Sequence, residues 1–151
     1  RWMRKAVSAR PSRLSYDFFR LLQSSGDLAH QKEAFEGASE RFANTGSTMY
    51  LALMARAYRD GRGAEKDVAK AVELMRKASA DAPAKYLREY CELLVESDDP
   101  KDNKEAFRRC SSLYAKNGSP FSCRLLAVMC RDGKGTAKDM DEALSWIRRY
   151  K

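Results

Sequence analysis

The sequence predicts an all-α array of about four helix-turn-helix repeats, eight helices with a 36-residue period, and three observations carry that reading. Shifted by 72 residues, the chain matches itself without a gap: Lys32-Glu33-Ala34-Phe35 returns as Lys104-Glu105-Ala106-Phe107, and the Arg59–Gly63 segment RDGRG returns as RDGKG at Arg131–Gly135. Half that step is also visible, in Gly46, Ala82 and Gly118, and in Tyr50-Leu51 repeated as Tyr86-Leu87. Within each copy, apolar residues recur at three- and four-residue steps, the spacing of one helix face. Periods of roughly 20–50 residues mark stacked repeats, in which each unit buries its apolar face on the next.

The elements follow in order, with repeats expected at about 11–46, 47–82, 83–118 and 119–151. In the first, Leu14, Phe18, Phe19, Leu21 and Leu22 form the apolar face, Ser25-Gly26-Asp27 the turn, and a second helix runs from about His30 to Ala43. In the second, Tyr50, Leu51, Met54, Ala55, Ala57 and Tyr58 form the first face. Gly61 suits a left-handed helix C-terminus, and Asp67 an N-cap that satisfies orphan amides. Val68, Ala71, Val72, Leu74, Met75 and Ala78 then line the second helix.

The third copy buries Tyr86, Leu87, Tyr90, Cys91, Leu93 and Leu94. Its Ser97–Pro100 turn ends in a proline that cannot sit deep in a helix, and its second helix spans about Lys101 to Lys116. The fourth repeats the second closely. Leu126, Ala127, Met129 and Cys130 form one face, Gly133 and Gly135 the turn, Asp139 the cap, and Ala143, Trp146, Ile147 and Tyr150 the other face.

Composition excludes some classes of function. The chain has 151 residues, enough for one domain with a real core, and no apolar run approaches the length of a membrane-spanning helix. Of the net charge of +8, five charges sit in residues 1–13, as Arg1, Arg4, Lys5, Arg10 and Arg13 with no acid among them. Residues 1–10 are read as a basic arm or linker ahead of a single helical repeat domain at 11–151, and nucleic acid is not the expected partner because no groove-reading motif accompanies the arm. The chain opens Arg1-Trp2-Met3 without a signal segment, which reads as a piece of a longer protein.

Cys91, Cys110, Cys123 and Cys130 all fall in helices without zinc-ligand spacing, so reduced core thiols and a cytoplasmic setting are expected. Nothing points to catalysis. His30 is the single histidine and has no nucleophile or metal partner at useful spacing. Gly133-Lys134-Gly135-Thr136 has the wrong spacing for a phosphate loop and joins two helices. Asp98, Asp99 and Asp102 lack the alternation and glycine of a calcium loop. No catalytic residue, metal or cofactor is expected.

Segments Thr48–Ala78 and Pro120–Tyr150 resemble Sel1-like repeats, relatives of tetratricopeptide repeats. The family pattern of Leu-Gly, Tyr, Gly-x-Gly, Asp, Lys-Ala, Trp and a final Lys-Ala is met, the tryptophan apart, by Met54-Ala55, Tyr58, Gly61 and Gly63, Asp67, Lys70-Ala71 and Lys77-Ala78. In the later segment it is met by Leu126-Ala127, Gly133, Gly135, Asp139, Glu142-Ala143 and Trp146. Departures are alanine in Leu-Gly, Cys130 for Tyr, and loss of the glycine loop in the odd copies. The resemblance implies a right-handed α-solenoid that binds other proteins, often beside an enzymatic or signalling domain.

In such arrays the first helices line a concave wall, and fixing the buried face leaves one flank of each helix to meet a partner. The flank reads Arg13, Asp17 and Arg20, then Met49, Leu53 and Arg56, then Lys85, Glu89 and Glu92, then Phe121, Leu125 and Val128. Two charged triplets thus alternate with two apolar ones, and apolar residues at nominally exposed positions are candidates for a partner site. The alternative placement for Met49, Leu53 and Phe121 is against the neighbouring hairpin. Trp146 and Ile147 near the end read as an array that continues. The expected function is a non-catalytic protein- or peptide-binding scaffold, an accessory module of a larger protein. The alternatives are a module for a polyanion (nucleic acid, carbohydrate or lipid headgroup) and an intramolecular partner of a covalently linked catalytic domain such as a transferase.

Overall fold

The computed structural model describes residues 13–150; the basic arm at 1–10 lies outside them. Among the described residues there are eight helices and no strand: α1 Arg13–Ser24, α2 Leu28–Thr45, α3 Thr48–Asp60, α4 Val68–Asp81, α5 Pro83–Glu96, α6 Pro100–Asn117, α7 Pro120–Asp132 and α8 Met140–Arg149. In sequence order they alternate as the four expected helix-turn-helix repeats of an all-α fold. The chain divides into two compact units between Tyr86 and Leu87, inside α5, so each unit holds roughly one 72-residue period.

The sharp turns of the second and fourth hairpins are built alike. Gly61 and Gly133 adopt φ of 67° and 72°, closing α3 and α7 with amides on Ala57 and Met129 carbonyls. The second glycine has a different task. A Cβ on Gly63 would run into the backbone carbonyl of Gln31 in α2, and one on Gly135 into that of Asn103 in α6. The glycine loop of each even hairpin therefore rests directly on the second helix of the hairpin before it, which only a residue without a side chain permits. Asp67 and Asp139 then cap α4 and α8, accepting from the amides of Lys70 (3.0 Å) and Glu142 (2.9 Å). The Lys70 amide also holds the Asp67 carboxyl below its usual range.

The odd hairpins lack the glycine loop but carry a closed turn of their own, also repeated at 72 residues. The Ser25 and Ser97 hydroxyls each accept from an aspartate amide at 3.1 Å, and those residues, Asp27 and Asp99, cap α2 and α6. The α2 helix accordingly starts two residues ahead of His30. A buried amide side chain ties each turn together: Gln31 Nε2 donates to the Ser25 carbonyl at 2.6 Å, and Asn103 Nδ2 donates to the carbonyls of Leu94 (2.9 Å) and Ser97 (3.0 Å). Gln31 and Asn103 are also the residues whose carbonyls meet the second glycine, so one position closes its own hairpin and seats the next.

Within each unit the second helix of the odd hairpin packs against the first helix of the even one, α2 on α3 and α6 on α7, and each even hairpin closes on itself, α3 on α4 and α7 on α8. In unit 1, α3 also meets α1. Tyr50, Leu51, Ala52, Leu53, Ala55 and Ala57 are all buried, a face far wider than a helix with one neighbour would need. The small columns Ala34, Ala71, Ala106 and Ala143 are at most 5% exposed, letting backbones approach closely. Three apolar expectations are corrected. Leu21 is 61%, Ile147 52% and Tyr150 54% exposed, because no described helix lies against those edges of α1 and α8. All four cysteines are buried and unpaired by disulfides; the hydrogen bond to Cys91, together with burial, pushes the Cys110 thiol well above its usual range.

Candidate functional site

The expected partner flank divides between the units. In unit 1, Leu53 is 2% exposed and belongs to the cluster of Phe18, Phe19, Leu22, Ala38 and Tyr50, so it faces the preceding hairpin. Met49, Asp17 and Arg56 are half-buried, while Arg20 and Lys85 are exposed; the Arg13 side chain is not among those described. What brings part of this set together is Tyr16. Arg56 Nη1 donates to its hydroxyl at 3.2 Å, and Lys85 Nζ sits 5.9 Å from its ring centroid. The ring itself packs on the hydrophobic cluster, which holds it within reach of both cations, and Lys85 Nζ also lies 5.2 Å from the Tyr86 ring centroid.

In unit 2, Leu125 is 6% exposed and buried in the same sense as Leu53, while Phe121, Val128, Glu89 and Glu92 are half-buried. Two guanidinium groups approach the Phe121 ring, Arg88 at 4.6 Å and Arg124 at 5.9 Å from its centroid. Arg124 also pairs with Glu92 at 3.1 Å. The helical three-residue step puts Phe121 and Arg124 on one side of α7, and α5 brings Arg88 and Glu92 to them.

Each unit therefore presents a half-buried aromatic ring that two cations contact. Such contacts at exposed sites are worth about 0.5–1 kcal/mol and an exposed ion pair no more than about 1 kcal/mol, so they orient the side chains more than they hold the fold. Aromatic and arginine side chains are also what binding hot spots are enriched in, and a guanidinium fork matches a carboxylate. Sequence reasoning missed Tyr16, Arg88 and Arg124. Their signal was adjacency: Tyr16 sits among Arg13, Asp17 and Arg20, and Arg88 and Arg124 each lie three residues beyond a residue of the flank.

One pair has the look of a catalytic contact. Ser25 Oγ lies 3.0 Å from His30 Nδ1. In unit 2 the same register holds Ser97 donating to Asp102 at 2.7 Å, and both hydroxyls also accept from the N-cap aspartate amide. The pair belongs to turn closure. Among the described residues no three His, Cys, Asp or Glu side chains gather as metal ligands, and no helix is long and apolar enough to cross a membrane.

Residues 48–82 and 120–149 match the family model of the Sel1 repeat, which are the second and fourth hairpins. No curated protein sequence matches the chain. Among solved structures, the chain is similar to a protective antigen present in uropathogenic Escherichia coli strains that displays an SLR fold. The TM-score is 0.64 at 18% identity, over 99% of this chain and 32% of that one. It is also similar to a Sel1 repeat protein from Oxalobacter formigenes, with a TM-score of 0.55 at 20% identity over 90% of this chain and 56% of that one. At these identities the likeness is one of fold. The chain spans about a third and somewhat over half of the two proteins' lengths.

Proposed function

With two segments of this chain being Sel1 repeats, we propose that it is a non-catalytic scaffold that binds a protein or peptide through the first-helix flanks of its hairpins. Sel1 repeat proteins generally act as protein-interaction scaffolds. The observation that carries the reading is the pairing of one ring with two cations in each unit, Tyr16 with Arg56 and Lys85 and Phe121 with Arg88 and Arg124. The partner that fits is a segment with acidic side chains for the cations and an apolar or aromatic side chain for the rings. Met49, Asp17, Arg20, Val128, Glu89 and Glu92 complete the proposed flank; Leu53 and Leu125, being buried, fall outside it. The module is an accessory part of a larger polypeptide, and its four buried free thiols suit a reducing compartment such as the cytoplasm.

Selection from a displayed random peptide library tests this. Acidic peptides with an aromatic anchor should be enriched, and Lys85→Ala and Arg88→Ala, at exposed cations, should each weaken binding about tenfold or more while the melting temperature moves little. Enrichment indifferent to both substitutions would overturn the site. Steep loss of binding to heparin or DNA between low and moderate salt, with no peptide enriched, would instead favour a polyanion partner.

A further inference from the structure

Apart from the first-helix flank just proposed, the second helices of the two odd hairpins carry clefts at one repeat register and of opposite charge. On α2 a hollow of about 530 Å³ is lined by Glu33, Glu36 and Glu40, with Arg41 as its one cation. Gly37 opens it: with no side chain there, the Phe19 ring comes through to form the floor. On α6 a smaller cleft of about 240 Å³ is lined by Arg108, Arg109 and Lys116, and the half-buried Leu87 and Leu113 give it apolar edges. Glu36 and Arg108, Gly37 and Arg109, and Asn44 and Lys116 are each 72 residues apart, so the repeat sets the two clefts on the same helical frame.

The charges at the centre of each cleft have no work inside the fold. Glu36, Glu40, Arg108 and Lys116 are exposed and make no hydrogen bond or ion pair among the described residues. Arg109 differs, being held by Glu105 of its own helix at 2.8 Å. Each cleft thus lacks a partner of the opposite sign, and the same chain carries a surface of that sign on a matching frame. Complementary potentials of this kind steer an encounter and fix its register more than they add affinity. Exposed ion pairs alone are worth little, so the Phe19 floor and the Leu87 and Leu113 edges supply the apolar contact beneath them.

We infer that the acidic α2 cleft of one copy of this chain docks the basic α6 face of a second copy, with Arg108 and Lys116 meeting Glu36 and Glu40. The two surfaces that meet are different, so the contact is heterologous. Each docked copy keeps one α2 cleft or one α6 face unused. Association therefore runs head to tail past the dimer, which a two-fold contact would not do.

Sedimentation velocity on the 151-residue chain tests this. At about 50 mM salt the average mass should climb past that of a dimer as concentration rises, and at about 0.5 M salt it should return to that of a monomer. Glu36→Gln with Glu40→Gln should abolish association, and so should Arg108→Gln with Lys116→Gln, each leaving the melting temperature unmoved. Mixed one to one, the two variants should form dimers and nothing larger, because only one intact cleft of each sign remains. A chain that stays monomeric at low salt, or oligomers that persist in both variants, would overturn the inference. Association lost in the acidic variant alone would overturn it too, by assigning the α2 cleft to a basic segment other than α6, such as residues 1–10.

Discussion

Unit 1 packs a phenyl ring between its first two helices; at the same registers of unit 2, 72 residues on, stand a thiol and an arginine. The Phe19 ring occupies the space where a Cβ on Gly37 would lie, and the corresponding residues are Cys91 and Arg109. Tyr50 and Leu51 likewise become Ser122 and Cys123, and all four are buried. Arg109 instead reaches Glu105 at 2.8 Å and covers the Tyr90 ring at 5.2 Å. Outside, the contrast extends to charge. A cleft in unit 1 is lined by Glu33, Glu36 and Glu40 with one cation, Arg41, while its counterpart in unit 2 is lined by Arg108, Arg109 and Lys116. The turns, by comparison, are nearly superimposable in chemistry. What the repeat holds constant is where backbone meets backbone; side-chain volume is redistributed and outer charge is free to invert.

The largest effects should come from breaking what the units share. Gly63→Ala and Gly135→Ala each place a Cβ at positive φ and against a backbone carbonyl, so each should cost about 3 kcal/mol or more by denaturant unfolding. Equal losses support the common seat; a loss in one unit alone would break the comparison.

Next come substitutions that exchange the two packing solutions. Phe19→Cys should cost about 2–4 kcal/mol through the cavity it leaves. Cys91→Phe should cost about 1–3 kcal/mol through overpacking, with part recovered by adding Arg109→Gly. A double-mutant cycle with coupling of about 0.5 kcal/mol or more would show that residues 91 and 109 compensate as Phe19 and Gly37 do.

Smaller again is removal of the buried amides. Asn103→Leu strands the carbonyls of Leu94 and Ser97 and should cost about 1–3 kcal/mol, more than Gln31→Leu, which strands one. The smallest effect has the opposite sign. The Ser122 hydroxyl is buried with no hydrogen-bond partner, so Ser122→Ala should be neutral or stabilising by up to about 1 kcal/mol.

Much of this was legible in the sequence because the even hairpins obey strong local rules. Glycines at left-handed termini, aspartate caps and helical periodicity placed α3, α4, α7 and α8 within a residue or two. The odd turns were read only as degenerate. Their logic is tertiary: Gln31 and Asn103 act through a buried amide several residues from the carbonyls it ties, and no periodicity reports that. The flank was partly legible. Periodicity set Met49, Arg56, Phe121 and Val128 on a free flank, and the structure leaves them half-buried. It could not show that α3 and α7 have neighbours on two sides, which is what buries Leu53 and Leu125. The pairing of rings with cations depends on neighbouring helices, as with Arg88 of α5 over Phe121 of α7, and a single-helix pattern carries no trace of it.

The most direct test of the central claim, that a constant backbone frame displays a binding flank, is to map a selected acidic-aromatic peptide onto the protein by NMR. The account predicts shifts concentrated at Tyr16, Arg56 and Lys85 in one unit and at Arg88, Phe121 and Arg124 in the other, with the Gly63 and Gly135 loops unmoved. Shifts confined to the outer clefts of α2 and α6, at Glu36 and Glu40 or Arg108 and Lys116, would contradict it.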